Sequence, residues 1–256
     1  MPASLFLLLA AALGLCFGSF ANVVVCRLAN ANGESVLSPP SHCLGCGYRL
    51  KWRDMIPLLS WFFLRGRCRY CQVAISKRYP MIEAACAVLF VLLAKHTGYV
   101  VYVVPLWCLA FILLCIAVID WDTMLIPDSL LVCAAVSGVA WLLLATSAPL
   151  WSDAFLGMAA AALFLLLLNF ITWIAAGKPG FGLGDVKLMA VAGLFLGWQG
   201  MPAAFFFAFV SGGAYGALLL LMKKAERGGY LPFAPFLCAG VLLALLYRRE
   251  FFYVGL

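Results

Sequence analysis

The sequence predicts an all-α polytopic membrane protein of about eight transmembrane helices, with a small cytoplasmic zinc-ribbon-like domain between the first and second. Three observations predict it. The 256 residues are 66% hydrophobic and only 11% charged, where soluble domains carry about 45–50% apolar and about 25% charged residues. The apolar residues fall into runs near the length of about 20 that a helix needs to cross a hydrocarbon core of about 30 Å. The one long polar stretch holds two Cys-x-x-Cys pairs.

The expected spans are 4–26, 80–96, 99–120, 129–146, 152–176, 184–199, 201–222 and 234–250. A seven-span alternative fuses or rejects one of the two weaker runs after Gly182. The first run, Leu5 to Val25, has no preceding basic residue and no clear small-x-small cleavage site leading into a soluble domain, so it reads as a retained helix rather than a signal peptide.

Basic residues flanking spans stay on the cytoplasmic side. With eight spans and a periplasmic N-terminus, Arg27, Arg49, Lys51, Arg53, Arg65, Arg67, Arg69, Lys77, Arg78, Lys178, Lys187, Lys223, Lys224 and Arg227 share one side, and only Lys95, Arg248 and Arg249 take the other. The net charge of +7 is therefore mostly a topology signal. Anionic lipid headgroups account for it more simply than nucleic acid does.

The sequence divides into a first helix (1–26), a cytoplasmic lobe (27–79) and a transmembrane core (80–256). The lobe contains "CLGC" at Cys43 and Cys46 and "CRYC" at Cys68 and Cys71, separated by the 21 residues 47–67. This spacing matches a four-cysteine zinc ribbon in which each pair forms a knuckle and the segment between them a hairpin. Thiols on the cytoplasmic side stay reduced, which favours structural zinc over disulfides; redox-active dithiols, or a ribbon stable without metal, are the alternatives. Metal binding would supply folding free energy to a segment with too few apolar groups to fold alone. Within the lobe, "KWRDMIPLLSW" (Lys51 to Trp61) mixes aromatic, apolar and basic residues, as a segment seated on headgroups would; interfacial anchoring and ligand binding are equally open readings. The other seven cysteines, Cys16, Cys26, Cys86, Cys108, Cys115, Cys133 and Cys238, lie in or beside spans and read as small apolar fillers.

The ten acids are Glu34, Asp54, Glu83, Asp120, Asp122, Asp128, Asp153, Asp185, Glu226 and Glu250. The third span delivers Asp120 at its cytoplasmic end, "WDTMLIPD" adds Asp122 and Asp128, and the sixth span opens on the same side with Asp185 of "GLGD". Ionisable groups at such depth are costly and usually functional. Asp185 and Asp128 each also fit a helix-start role, where an acid meets the positive end of the dipole, and Asp128 reads mainly as a cap. Asp120 ends a helix, where the dipole disfavours a carboxylate, and no Lys or Arg follows nearby. Two carboxyls in a partly dry site share one proton, which permits aspartyl proteolysis. Gly182 and Gly184 would leave bare backbone for an extended peptide. A proton-coupled transporter would place acids near mid-span and often carry a repeat; a non-catalytic zinc-ribbon scaffold leaves Asp120 unexplained.

Taken in order, "GSFANVVVCRL" (Gly18 to Leu28), the paired CxxC motifs, "ISKRYPMIE" (Ile75 to Glu83), "IDWDTMLIPD" (Ile119 to Asp128), "GFGLGDVKLM" (Gly180 to Met189) and "LPFAPFL" (Leu231 to Leu237) resemble the type IV prepilin peptidases, bacterial inner-membrane aspartic proteases of the GxGD type. The resemblance implies a bifunctional enzyme that cuts the basic leader from prepilins or pseudopilins at the cytoplasmic face, then N-methylates the new N-terminus with S-adenosylmethionine. It implies Asp120 and Asp185 as protease acids, and Gly66, Arg67 and Glu83 near the methyl-transfer site. Arg67 departs from the Lys of many relatives, and the two cations differ in geometry. No glycine-rich nucleotide fingerprint is visible, so that cofactor rests on the resemblance.

Overall fold

A computed structural model describes residues 3–29, 35–36, 38–97, 102–145, 148–223 and 231–252. Glu34, Lys224, Glu226 and Arg227 lie outside the described residues, as do the side chains of Arg248, Arg249 and Glu250. The helices in chain order are α1 (Ala3–Ala29), α2 (Leu59–Phe63), α3 (Arg78–Thr97), α4 (Val103–Thr123), α5 (Asp128–Leu144), α6 (Trp151–Ala176), α7 (Leu183–Leu221) and α8 (Ala234–Phe252). Five of them, α1, α3, α4, α6 and α7, are long and apolar enough to cross a membrane; α5 and α8 are shorter apolar helices. Two compact units meet in sequence within α4, Met1–Cys115 and Ile116–Leu256.

In the first unit α1 packs along α3. Gly14 and Gly18 are one turn apart on α1, and a Cβ on either would stand 2.6 Å from the Cα of Ala87 or Glu83. This is the close small-xxx-small contact that lets membrane helices gain van der Waals energy where lipid offers no hydrophobic drive. Asn22 seals the end of the seam, its amide donating to the carbonyls of Gly18 and Tyr79 at 3.2 and 3.3 Å. Beyond it the buried Arg27 guanidinium donates to the carbonyls of Ser35 and Val36 at 2.8 and 2.9 Å and also to that of Pro39. A residue that reads from sequence as a topology charge therefore ties the start of the lobe to the end of α1.

The lobe differs from the expected ribbon in one respect. Each CxxC forms the same tight turn: Cys43 N–H donates to Tyr48 O and Gly47 N–H to Cys43 O, and Cys68 N–H donates to Val73 O and Gln72 N–H to Cys68 O. The segment between the turns is not a hairpin. It holds a 3-10 turn (Trp52–Asp54) and α2, and among the described residues the lobe has only isolated bridges, such as His42 with Arg49 and Arg67 with Ala74. "MIPLLSWFF" is helix-compatible and lacks the period-2 alternation that a strand pair requires.

In the second unit α7 packs against α5, α6 and α8. Its 39 residues would run about 58 Å if straight, but Gly197 leaves helical geometry at φ 63°, ψ 176°, values suited to glycine. The chain doubles back there. Phe181, just before α7, lies 5.9 Å from Phe209 ring to ring, although 28 intervening steps of a straight helix would hold them about 42 Å apart. The two arms, 183–196 and 198–221, overlap the two separate runs expected after Gly182, 184–199 and 201–222, with Gly197 between them.

Candidate functional site

Asp120 and Asp185 are both buried, at 6% and 8% exposure. They act on one another electrostatically, and the buried Cys238 of α8 lies in the field of both. Asp120 sits near the end of α4, where its own dipole disfavours it, and the structure supplies what offsets this: its Oδ2 accepts the N–H of Ala234, the first residue of α8, at 3.1 Å. Pro235 has no N–H, and Phe236 N–H turns back to Phe233 O, so Ala234 carries the helix-start donor left for an outside partner. An acid that is unfavourable on its own helix is thus favourable at the positive end of another. Asp185 accepts the N–H of Gly182 at 3.0 Å and so caps α7 itself. Cys238, which reads from sequence as a filler, and Ala234, whose contribution is a backbone group, could not be assigned from side-chain type.

The "GFGLGD" loop is clamped from α6. Asn169 exchanges two hydrogen bonds with Phe181, accepting its N–H at 2.7 Å and donating to its carbonyl at 3.1 Å, while Thr172 Oγ1 accepts Gly180 N–H at 2.9 Å. The signal was available, since Asn169 interrupts the apolar run "LFLLLLNFI", and a polar residue at such depth is usually engaged. Phe181 also meets Phe233 edge to face at 5.1 Å, joining this loop to "LPFAPFL". The two glycines differ: a Cβ on Gly184 would meet Ile126 at 3.0 Å, whereas beside Gly182 the nearest atom is Asp185 Oδ2 at 3.5 Å. Only Gly182 leaves open backbone. Asp128 does lie in the first turn of α5, but its carboxylate makes no cap hydrogen bond; it holds Lys187 Nζ at 2.9 and 3.1 Å in an exposed pair two residues from Asp185.

In the lobe, the Sγ atoms of Cys43, Cys46, Cys68 and Cys71 lie within 4.8 Å of one another, and Cys43 and Cys71 are 3.8 Å apart. Zn–S bonds of about 2.3 Å put tetrahedral sulfurs about 3.8 Å apart, so the donor set fits zinc in number, type and spacing. Burial opposes it, but the backbone N–H groups of Gly45 and Cys46 and neighbouring thiols bring the Cys43 thiol down to about 7. Val73 N–H favours a thiolate at Cys71, but burial and the surrounding thiols push it up to about 12. The protons thus belong to the set, and a first thiolate forms near neutrality. Tyr48 and Tyr70 stack at 3.7 Å over the paired knuckles.

The three residues expected near methyl transfer sit in different surroundings. Glu83 is buried and accepts Leu58 N–H at 2.7 Å, Gly66 packs against the Trp61 ring, and Arg67 is exposed.

The chain has recognisable relatives among known proteins. Residues 12–97 match the bacterial peptidase A24 N-terminal domain and residues 107–217 the type IV leader peptidase family. The chain is 35% identical to the prepilin leader peptidase/N-methyltransferase of Stutzerimonas stutzeri, over 96% of this chain and 92% of that protein. It is 33% identical to that of Pseudomonas putida, covering 98% and 94%, and 42% identical to that of Klebsiella pneumoniae, covering 74% and 84%. No solved structure matches.

Proposed function

Because the chain belongs to the type IV leader peptidase family, we propose that its two buried aspartates cut a prepilin leader in this protein. It is a multi-pass inner-membrane protease and N-methyltransferase whose substrates are prepilins or pseudopilins. The observation that carries the assignment of residues is the pair of buried carboxyls in one electrostatic site, each accepting one backbone N–H at a helix start.

Two such carboxyls retain one proton between them, because burying two unpaired negative charges together is costly. The shared single charge is favoured by the positive ends of α7 and α8. The ionised aspartate takes a proton from water as the water attacks the scissile carbonyl; the protonated aspartate gives its proton to the carbonyl oxygen. The roles then reverse to protonate the leaving amine. Gly182 offers the uncovered backbone along which an extended substrate strand can lie.

Topologically, α1, α3, α4, α5, α6, the two arms of α7 and α8 make eight crossings, with the N-terminus periplasmic and the acids at the cytoplasmic face. Exposed Trp151 and Trp198 at one end of the second unit, and Trp121 and Trp173 at the other, support two interfacial belts. The lobe, 27–79, is cytoplasmic. Bound by all four thiolates, zinc would have no open position, so its contribution is folding free energy for the lobe. S-adenosylmethionine is the methyl donor that N-methyltransferase activity implies. Of the residues expected beside it, Arg67 is exposed, while Glu83 and Gly66 are buried.

The test is incubation of purified protein with a prepilin and S-adenosylmethionine, with mass spectrometry of the product N-terminus. Cleavage and methylation are read separately. A prepilin still cut at the wild-type rate by Asp120→Asn or Asp185→Asn protein rules out the pair.

A further inference from the structure

The mixed segment "KWRDMIPLLSW" resolves into a short helix with two unlike sides. On one side α2 is pinned to the first unit: Leu58 N–H donates to Glu83 Oε2 at 2.7 Å, and the Trp61 indole N–H donates to Ile75 O at 3.2 Å. Glu83 is the sixth residue of α3, a helix long and apolar enough to cross a membrane. Five steps of helix place it about 7.5 Å inside that helix. The start of α2 is therefore held at the level where α3 enters the bilayer.

The other side of α2 is apolar and uncovered. Phe62 and Phe63 are 75% and 77% exposed, Leu59 and Trp52 are also exposed, and so is Met81 in the first turn of α3. Exposed cations flank this patch: Lys51 and Arg53 before it, Arg65 and Arg67 after it. The Arg53 guanidinium lies 5.4 Å over the Trp52 ring. Asp54, the acid nearest in sequence, is turned to Arg69, and among the described residues none of those four cationic groups has an acidic partner. Adjacent uncovered phenylalanines are unfavourable in water, whereas aromatic groups bordered by basic ones are stabilised at the boundary of acyl chains and anionic headgroups.

We infer that α2 is an interfacial foot: Leu59, Phe62, Phe63 and Trp52 enter the headgroup–acyl boundary of the leaflet that α3 enters, and Lys51, Arg53, Arg65 and Arg67 lie against anionic headgroups. The occupant is the lipid surface, selected by the depth of the Glu83 tie and by charge. The inference rests on α3 crossing the bilayer and is independent of catalysis. It fixes the height of the cysteine cluster above the membrane.

The test uses the full chain in vesicles containing phosphatidylglycerol, with the photo-crosslinker p-benzoylphenylalanine replacing Phe62, Phe63 or, as a control, Leu44, which is 78% exposed on the first knuckle. Mass spectrometry after illumination should find lipid adducts at positions 62 and 63 in several-fold excess over position 44. Equal adducts at all three positions, or adducts to protein at 62 and 63, overturn the inference. A label-free arm compares limited proteolysis of the lobe in wild type and in the Phe62→Ser, Phe63→Ser double variant with zinc content matched. Cleavage should rise several-fold in the variant, and wild-type protection should be stronger in phosphatidylglycerol than in phosphatidylcholine vesicles. Protection unchanged by both the substitutions and the lipid also overturns it.

Discussion

The cysteine cluster and the carboxylate pair are built in opposite ways. Four sulfurs close together within 29 residues of chain, by two copies of one turn whose backbone hydrogen bonds repeat bond for bond. The aspartates are assembled from three helices, and the Asp120–Ala234 bond closes 114 residues. A site of the first kind is set by local turns plus a metal, and tolerates distant change. One of the second kind inherits the errors of every helix that positions it, so its function is more easily lost than its fold.

Breaking the pair gives the largest effect. Asp120→Asn or Asp185→Asn removes the proton exchange proposed for both half-reactions, and leader cleavage should fall by about 10²–10⁴-fold or below detection while the protein still inserts. The assay is product formation from a prepilin. Next comes the clamp: Asn169→Leu frees the "GFGLGD" loop from α6, and misplacing a reacting group by about 1 Å costs on the order of 10²-fold. Cleavage by this variant should drop to that extent, with helicity by circular dichroism unchanged; an undiminished rate would mean the loop holds its place without the clamp.

The lobe should respond differently. Cys43→Ser, or a strong chelator, should reduce bound zinc from about one per chain and expose the lobe to proteolysis, yet leave leader cleavage within about threefold of wild type. Loss of cleavage equal to that of the aspartate variants would erase the contrast between the sites. The smallest effect concerns Asp54, which accepts from Arg69 Nε at 2.8 Å, Lys51 N–H at 3.2 Å and Tyr70 OH at 3.4 Å. Burial opposes ionisation, but the Arg69 hydrogen bond and its companions hold this carboxyl below its usual range. A depressed folded value means the stabilisation is fully present above the ordinary carboxylate value of about 4 and is lost only as pH falls through the lower folded value. The extra proteolytic sensitivity of Asp54→Asn relative to wild type should therefore be constant from about pH 5 to 8 and shrink only below about pH 4. A difference that shrinks around neutrality instead would assign it to another group.

What is readable in the sequence follows the same division. Ligand spacing announces Cys43, Cys46, Cys68 and Cys71, because the repeat is local. The apolar runs announce the helices, even the two arms of α7, and the Gly/Pro-containing stretch between them places a break near residue 200, but that the chain reverses there, and at Gly197, is a single backbone conformation. "MIPLLSWFF" reads as part of a hairpin only when the ribbon template is carried across it, against its own pattern. Asp120 is recognisable as an acid at the wrong end of a helix, yet its stabilising partner is the N–H of Ala234, and a backbone donor carries no letter of its own. Position alone makes Asp128 a cap; its side chain instead meets Lys187, a contact between residues 59 apart in sequence.

The bond between Asp120 and Ala234 also sets an order of events during synthesis. The ribosome delivers α4 long before α8, so a nascent chain already holds both aspartates while one of them lacks its amide partner. Such a chain carries an uncompensated carboxyl at the membrane, and the pair proposed as the proteolytic centre is complete only once the latest-made of the described helices has docked. The enzyme would thus be kept silent while it is still threading through the insertion machinery. A chain ended before Leu231 that inserted and cleaved normally would show that no such delay exists.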